Sequence, residues 1–150
     1  MATYSFLDVT AAINGVGGNI NLGAGAAVSE EGITIDAVED KSIMTIGADG
    51  QGMHSLVASE ASMVTVRLLK TSPTNAQLME MYKRNTVSSA NHGRNTITIR
   101  NPATGDNITL QKVAFKKRPS ITYAKEGGII EWNFDAIKTD TVLGVGTHEV

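Results

Sequence analysis

Apolar and polar residues alternate along much of the chain, and alternation with period two marks a strand with one buried face. Ile130, Trp132, Phe134 and Ala136 fall on one side of such a strand, and Glu131, Asn133 and Asp135 on the other. Ile33, Ile35 and Ala37 alternate with Thr34 and Asp36, as Val64, Val66 and Leu68 do with Thr65 and Arg67. Ile97, Ile99 and the run 108–115 predict two more strands, rich in the β-branched side chains that suit a pleated surface. Residues that tolerate turns separate these runs at Ala48-Asp49-Gly50-Gln51-Gly52, Asn101-Pro102-Ala103-Thr104-Gly105-Asp106 and Lys125-Glu126-Gly127-Gly128. The last two predict a meander over residues 95–137, with a corner at Arg118-Pro119 and a short strand at 120–124.

One helix interrupts the strands. Ser72 can cap it and Pro73 can occupy its first position, where a missing N–H costs nothing. Leu78, Met81 and Tyr82 then stand at i, i+3 and i+4, a narrow apolar stripe for packing on a sheet, and Gly93 ends the helix at the latest. The glycine-rich stretch 11–27 reads as a loop or flexible arm. The pattern predicts one domain over residues 1–150, mainly β with one flanking helix.

Composition changes this picture little. A chain of 150 residues, 41% hydrophobic and 19% charged, can fold around one core. No cysteine means no disulfide framework, thiolate metal site or thiol nucleophile. Residues 9–29 carry no charge, yet Asn14, Asn19, Asn21 and five glycines make them too polar to span a bilayer. No membrane anchor and no secretion signal are expected, and synthesis in a reducing cytoplasm is. The net charge of -2 argues against a basic nucleic-acid coat, but it hides a split. Residues 1–60 hold eight acids and one base, whereas residues 61–150 hold seven acids and twelve bases.

The candidate chemistry fails site by site. Gly15-Val16-Gly17-Gly18 lacks the spacing of a dinucleotide loop and leads into no helix that could receive a phosphate. His54, His92 and His148 have no second ligand at helical spacing, and His54 and Ser55, adjacent on a strand, point to opposite faces. The pairs Glu30-Glu31 and Glu39-Asp40 lack the spacing of a calcium loop. Lys112, Lys116, Lys117 and Arg118 suit a solvated face or a protein contact better than a phosphate surface, which recruits charge more widely. The sequence predicts no enzyme, no cofactor and no metal.

A chain patterned for folding without a chemical constellation is a binding or building element. Two features favour building. Apolar residues occupy both faces of some strands, as in Ile43 and Thr45 against Met44 and Ile46, or Val64, Val66 and Leu68 against Met63 and Leu69. The long, turn-rich segment 39–61 also carries Ile43, Met44, Ile46, Met53, Leu56 and Val57, which a monomer would leave in water.

Four stretches stand out: 37–56 (Ala-Val-Glu-Asp-Lys-Ser-Ile-Met-Thr-Ile-Gly-Ala-Asp-Gly-Gln-Gly-Met-His-Ser-Leu), Val64-Thr65-Val66-Arg67-Leu68-Leu69-Lys70-Thr71-Ser72-Pro73, Val113-Ala114-Phe115-Lys116-Lys117-Arg118-Pro119, and Trp132-Asn133-Phe134-Asp135-Ala136-Ile137 followed by Leu143-Gly144. Together they resemble bacteriophage tail tube proteins. The similarity runs in order from residue 1 and is strongest around the Glu-Asp-Lys and Gly-Ala-Asp-Gly signatures. It implies an antiparallel β-sandwich or barrel flanked by one helix, with a long inter-subunit loop. It also implies a structural virion protein, synthesised late, whose hexameric rings stack head to tail into the conduit for double-stranded DNA ejection.

The implied partners are further copies of the chain, the sheath of a contractile tail, and the tape measure, baseplate and tail terminator proteins. DNA would pass transiently, without specific binding. On that resemblance Asp40, Lys41, Ile43, Met44, Met53 and Leu56 belong to the loop that reaches another subunit or ring. Asp36, Glu131 and Asp135 are the candidate lumen acids, with a sheath-facing position as their alternative. Glu30, Glu39 and Asp40 are the candidate partners of Lys116, Lys117 and Arg118 in ring stacking. Two other readings stay open: a tube or ring component of a phage-related injection or secretion machine, and a small β-sandwich binding module.

Overall fold

Two neighbouring strands set the frame of the protein. Ser62–Leu69 (β6) and Ile129–Val142 (β9) pair antiparallel from Ser62↔Ala136 to Leu69↔Ile129. Because side chains alternate across a strand, this register sends Val64, Val66, Leu68, Ile130, Trp132, Phe134 and Ala136 to one side, where all are buried. The computed structural model describes residues 3–26 and 28–145, and the side chains of residues 29–31 lie outside that description.

Around this pair stand Thr10–Gly15 (β1), Gly18–Asn21 (β2), Val28–Ala37 (β3), Asn95–Asn101 (β7) and Asp106–Phe115 (β8). The seven strands form one antiparallel sheet in the order β2-β1-β7-β8-β9-β6-β3. β2 and β3 are its two edges, so the sheet is open rather than the closed barrel that was one of the two expected forms. Ser42–Ile46 (β4) and Gly52–Leu56 (β5) form a separate two-stranded sheet.

The helix Thr74–Thr86 (α1) covers part of the inner face. Ser72 acts as expected, its Oγ accepting from Thr74 N at 3.2 Å, although Pro73 precedes the first helical residue by one. Leu78 and Met81 enter the core, and Trp132 Nε1 ties β9 to the helix by donating to Asn75 Oδ1 at 3.0 Å. Phe115 meets Tyr82 and Trp132 edge to face, with ring centroids 5.6 and 5.9 Å away.

Three sequence expectations fail, each for a local reason. The glycine-rich stretch is not an arm: it folds into the β1–β2 hairpin, whose Ile13, Ile20 and Leu22 are buried. Gly15 is needed there because a Cβ would overlap Asn95 Oδ1. Residues 120–124 form no strand, and residues 116–128 cross irregularly from β8 to β9. Ile121 and Tyr123 both face solvent there, so no alternation fixes a register. The segment 39–61 is not only a loop, since its centre is the β4–β5 hairpin. Among the described residues no helix is long and apolar enough to cross a membrane.

Candidate functional site

No group of three or more potential metal ligands occurs among the described residues. The remaining candidates are surfaces. The first is the β4–β5 hairpin. Its turn closes through Gly47 N donating to Gln51 O at 2.7 Å and Gly50 N donating to Gly47 O at 3.0 Å. Asp49 Oδ1 accepts from Gln51 N at 3.1 Å, and Gly50 sits at φ 86°, where a side chain would be strained. A narrow neck joins the hairpin to the sheet. In it Val38 N donates to Ala61 O, Val57 N to Lys41 O and Lys41 Nζ to Ser59 O, at 2.9–3.2 Å.

Every residue of both hairpin strands is exposed. The register pairs Ile43 with Ser55 and Thr45 with Met53 on one face. Met44 pairs with His54, Ile46 with Gly52 and Ser42 with Leu56 on the other. Each face therefore carries large apolar side chains with no cover, Leu56 being 82% and Met44 65% exposed. An isolated two-stranded hairpin is marginal in water, and an uncovered apolar one marks a surface for another molecule. The sequence-predicted anchors Ile43, Met44, Met53 and Leu56 all lie here, and Asp40 and Lys41 lie in the neck. Ile46 is exposed beside them, and its apolar character was the signal for it.

The second surface is the outer face of the seven-stranded sheet. Asp36, Met63, Asp135 and Ala114 form one row across β3, β6, β9 and β8. Beside it run Thr34, Thr65 and Asn133, with Thr65 Oγ1 donating to Asn133 Oδ1 at 3.1 Å. Arg67 stands opposite Glu131, with 3.5 Å between Nε and Oε2, and also donates to Thr34 Oγ1 at 3.0 Å. A further row, Asp140-Thr109-Thr98-Ala12-Asn21, crosses β9, β8, β7, β1 and β2. The three candidate lumen acids thus share one hydroxyl- and amide-rich face. Arg67, Lys138 and Arg100 share it with them, so among the described residues the face is close to neutral rather than strongly acidic.

The candidate stacking charges do not meet within one chain. Glu39 and Asp40 are exposed at the neck, while Lys116, Lys117 and Arg118 are exposed beyond β8. Glu30 lies in β3, with its side chain outside the described residues, and His148 lies outside them altogether. The ion pairs among the described residues are Arg67 with Glu131 and Arg84 with Glu80.

A third surface escaped sequence reasoning. Phe6, Val28, Ile33, Ile99 and Ile108 help to line a cleft of about 510 Å³, with Asn101 and Asp106 among its few polar groups. Its walls come from four separated parts of the chain, so no local pattern announces it.

Comparison with known proteins gives these surfaces a context. Residues 1–144 match the family described as Bacteriophage PhiTE tail tube protein. No curated protein sequence matches the chain. Solved structures share the fold, three of them as follows. The sheath/tube terminator of an extracellular contractile injection system, PVC, in its extended state is 11% identical with a TM-score of 0.60, over 95% of this chain and 98% of that one. The sheath-tube complex of the same system is 15% identical with a TM-score of 0.57, over 94% and 92%. The tail of an empty GTA particle with C6 symmetry is 10% identical with a TM-score of 0.56, over 95% and 100%.

Proposed function

Because this chain belongs to the Bacteriophage PhiTE tail tube protein family, a structural family rather than an enzymatic one, we propose that it builds hexameric rings stacked head to tail into a tail tube. DNA ejected into the host would pass through that tube. The observation that carries this reading is the β4–β5 hairpin, which exposes apolar side chains on both faces and forms a sheet of its own, separate from the seven-stranded one. A surface of that kind is stable once another subunit covers it. The C6 symmetry of the similar GTA tail supports six subunits per ring. Similarity to a sheath-tube complex supports a sheath around the tube. Tape measure, baseplate and terminator proteins are the remaining partners.

The sheet has the two edges that ring closure needs. β2 and β3 each have one side without a partner strand in the monomer, and a neighbour's strand would satisfy those rows of N–H and C=O groups. The outer sheet face, with Asp36, Glu131 and Asp135, then lines the lumen. A wall of hydroxyls and amides with nearly balanced charge passes DNA without trapping it, whereas a basic wall would bind phosphates and release counterions. Glu30, Glu39 and Asp40 facing Lys116, Lys117 and Arg118 of the next ring would add screened attraction to the stacking.

Negative-stain microscopy of the purified protein tests the assembly. The full chain should give rings or tubes. A chain lacking residues 41–59 should give only folded single subunits or isolated rings. Val38 and Ala61 are already hydrogen-bonded to each other, so the deletion joins ends that lie side by side. Tubes from the shortened chain would defeat the hairpin's role.

A further inference from the structure

Lys112 is the one non-glycine with a left-handed backbone among the described residues, at φ 55°. There the Cβ of an L residue crowds the following carbonyl oxygen, so its surroundings must hold it in place, and such residues gather where function uses their position. The ladder shows how Lys112 comes to be there. Asn95 pairs with Val113 and Ile97 with Leu110, so Gln111 and Lys112 of β8 together oppose Thr96 of β7. Two residues against one make a β-bulge, a device that re-aims a side chain.

The bulge forms one wall of a shallow hollow of about 600 Å³, and the loop between α1 and β7 forms the other with Ser89, His92 and Arg94. Arg94 and Lys112 flank the Asn95–Val113 pair on adjacent strands. Among the described residues no carboxylate lines the hollow. The ion pairs among those residues are Arg67–Glu131 and Arg84–Glu80, so neither Arg94 nor Lys112 has one there. Two cations gathered in one hollow repel each other when it is empty and favour an anion between them.

The donors suit a tetrahedral oxyanion. Arg94 offers a planar fork, Lys112 a compact charge with three N–H groups, and His92 at least one ring N–H in either protonation state. The Ser89 hydroxyl and the Gln111 amide add uncharged donors. A single carboxylate has two oxygens and would leave donors unused, whereas a phosphate group presents more. We propose that this hollow binds a phosphate group, with Arg94 and Lys112 as its charged ligands. The hollow is larger than a phosphate ion, so the group can be carried by a nucleotide or by the DNA backbone as well as stand free. The sequence groups Lys112 with Lys116, Lys117 and Arg118, whereas the fold adds His92 and Arg94 from the preceding loop. The site goes beyond the tube reading, and neither depends on the other.

Phosphorus NMR of inorganic phosphate mixed with the full chain reads binding whether the protein is single or assembled. The phosphate line should broaden saturably, with half-saturation on the order of 1 mM, the scale of a few charge-assisted hydrogen bonds on an open site. Arg94→Gln and Lys112→Gln should each weaken binding at least about tenfold, as loss of a charged hydrogen bond does. Lys125→Gln, an exposed cation of the crossover, should leave it unchanged. No broadening, or an equal loss in all three variants, overturns the site.

Lys112→Gly separates binding from folding. Glycine accepts φ 55° without strain, so this variant should unfold about 1–4 °C above the parent without phosphate, while binding no better than Lys112→Gln. Retained binding overturns the role of Lys112, and a lower unfolding temperature overturns the strain that marks it. Competition identifies the carrier of the group. Displacement of inorganic phosphate by a duplex without terminal phosphates assigns the site to the DNA backbone, and displacement by adenosine monophosphate alone assigns it to a small phosphate ester. Displacement by neither overturns the larger ligand.

Discussion

β6 with β9 and β4 with β5 are both antiparallel pairs, and both are rich in apolar side chains. The first gathers Val64, Val66, Leu68, Ile130, Trp132, Phe134 and Ala136 on one face, with Phe115, Leu78 and Met81 in the same core, and buries them, leaving Met63, Leu69 and Ile137 exposed on the other. The second distributes Ile43 and Met53 on one face and Met44, Ile46 and Leu56 on the other, and buries none. Hydrogen bonding within the pair is similar in kind, so the ladder does not decide where a pair ends up. What decides it is whether a second layer is available to the apolar face. A pair with cover inside its own chain makes a core, and a pair without it makes an interface.

The sharpest test of this contrast is truncation of the covered pair. Trp132→Ala should cost about 3–5 kcal/mol in chemical unfolding, through the lost packing and the released Asn75 amide. A loss under about 1 kcal/mol would mean that the β6–β9 face is not the core. In the uncovered pair, Leu56→Asp should abolish tubes by electron microscopy. It should leave the unfolding free energy within about 0.5 kcal/mol of the parent, as at a surface position. A large stability loss there would erase the distinction between the two pairs.

Gly50→Ala forces a side chain into the left-handed region and should cost the hairpin about 1–2 kcal/mol. Because the hairpin is a separate two-stranded sheet, the cost should appear as faster hydrogen exchange of residues 42–56, with global unfolding unmoved. Glu131→Lys places a second cation beside Arg67 and should cost at most about 1 kcal/mol, since that pair is partly exposed. If the face lines the lumen, assembled tubes of this variant should retain added DNA that the parent releases. The smallest effect concerns salt. Attraction between exposed charges is screened over about 8–10 Å at physiological ionic strength. Raising the salt should therefore weaken stacking only slightly if the apolar hairpin is the main adhesive. A steep decline would shift the weight to Glu39, Asp40 and Lys116–Arg118.

The strands of the covered pair were legible because alternation and burial coincide, as from Ile130 to Ala136. β8 was legible as an apolar run but not in detail. Leu110 and Val113 are both buried although three residues apart, which strict alternation forbids. Lys112, at φ 55°, resets the phase between them. The hairpin's strands were harder to see because apolar residues on both faces erase the period, while its meaning as exposed surface was plain from the same residues. Glycine count misled at 11–27, where close approach and not mobility requires Gly15. Parity alone placed Glu131 and Asp135 on one face. Their alignment with Asp36 depends on pairing across three strands and is invisible locally. The cleft is invisible for the same reason, its walls being joined only by the fold.

β9 has one more consequence, a mechanical one. It is bonded along both sides, to β6 from residue 129 to 136 and to β8 from 134 to 142. Tension along its axis loads both ladders in shear, so the hydrogen bonds share the force instead of parting one after another. A strand held this way stiffens the subunit against stretching along that direction.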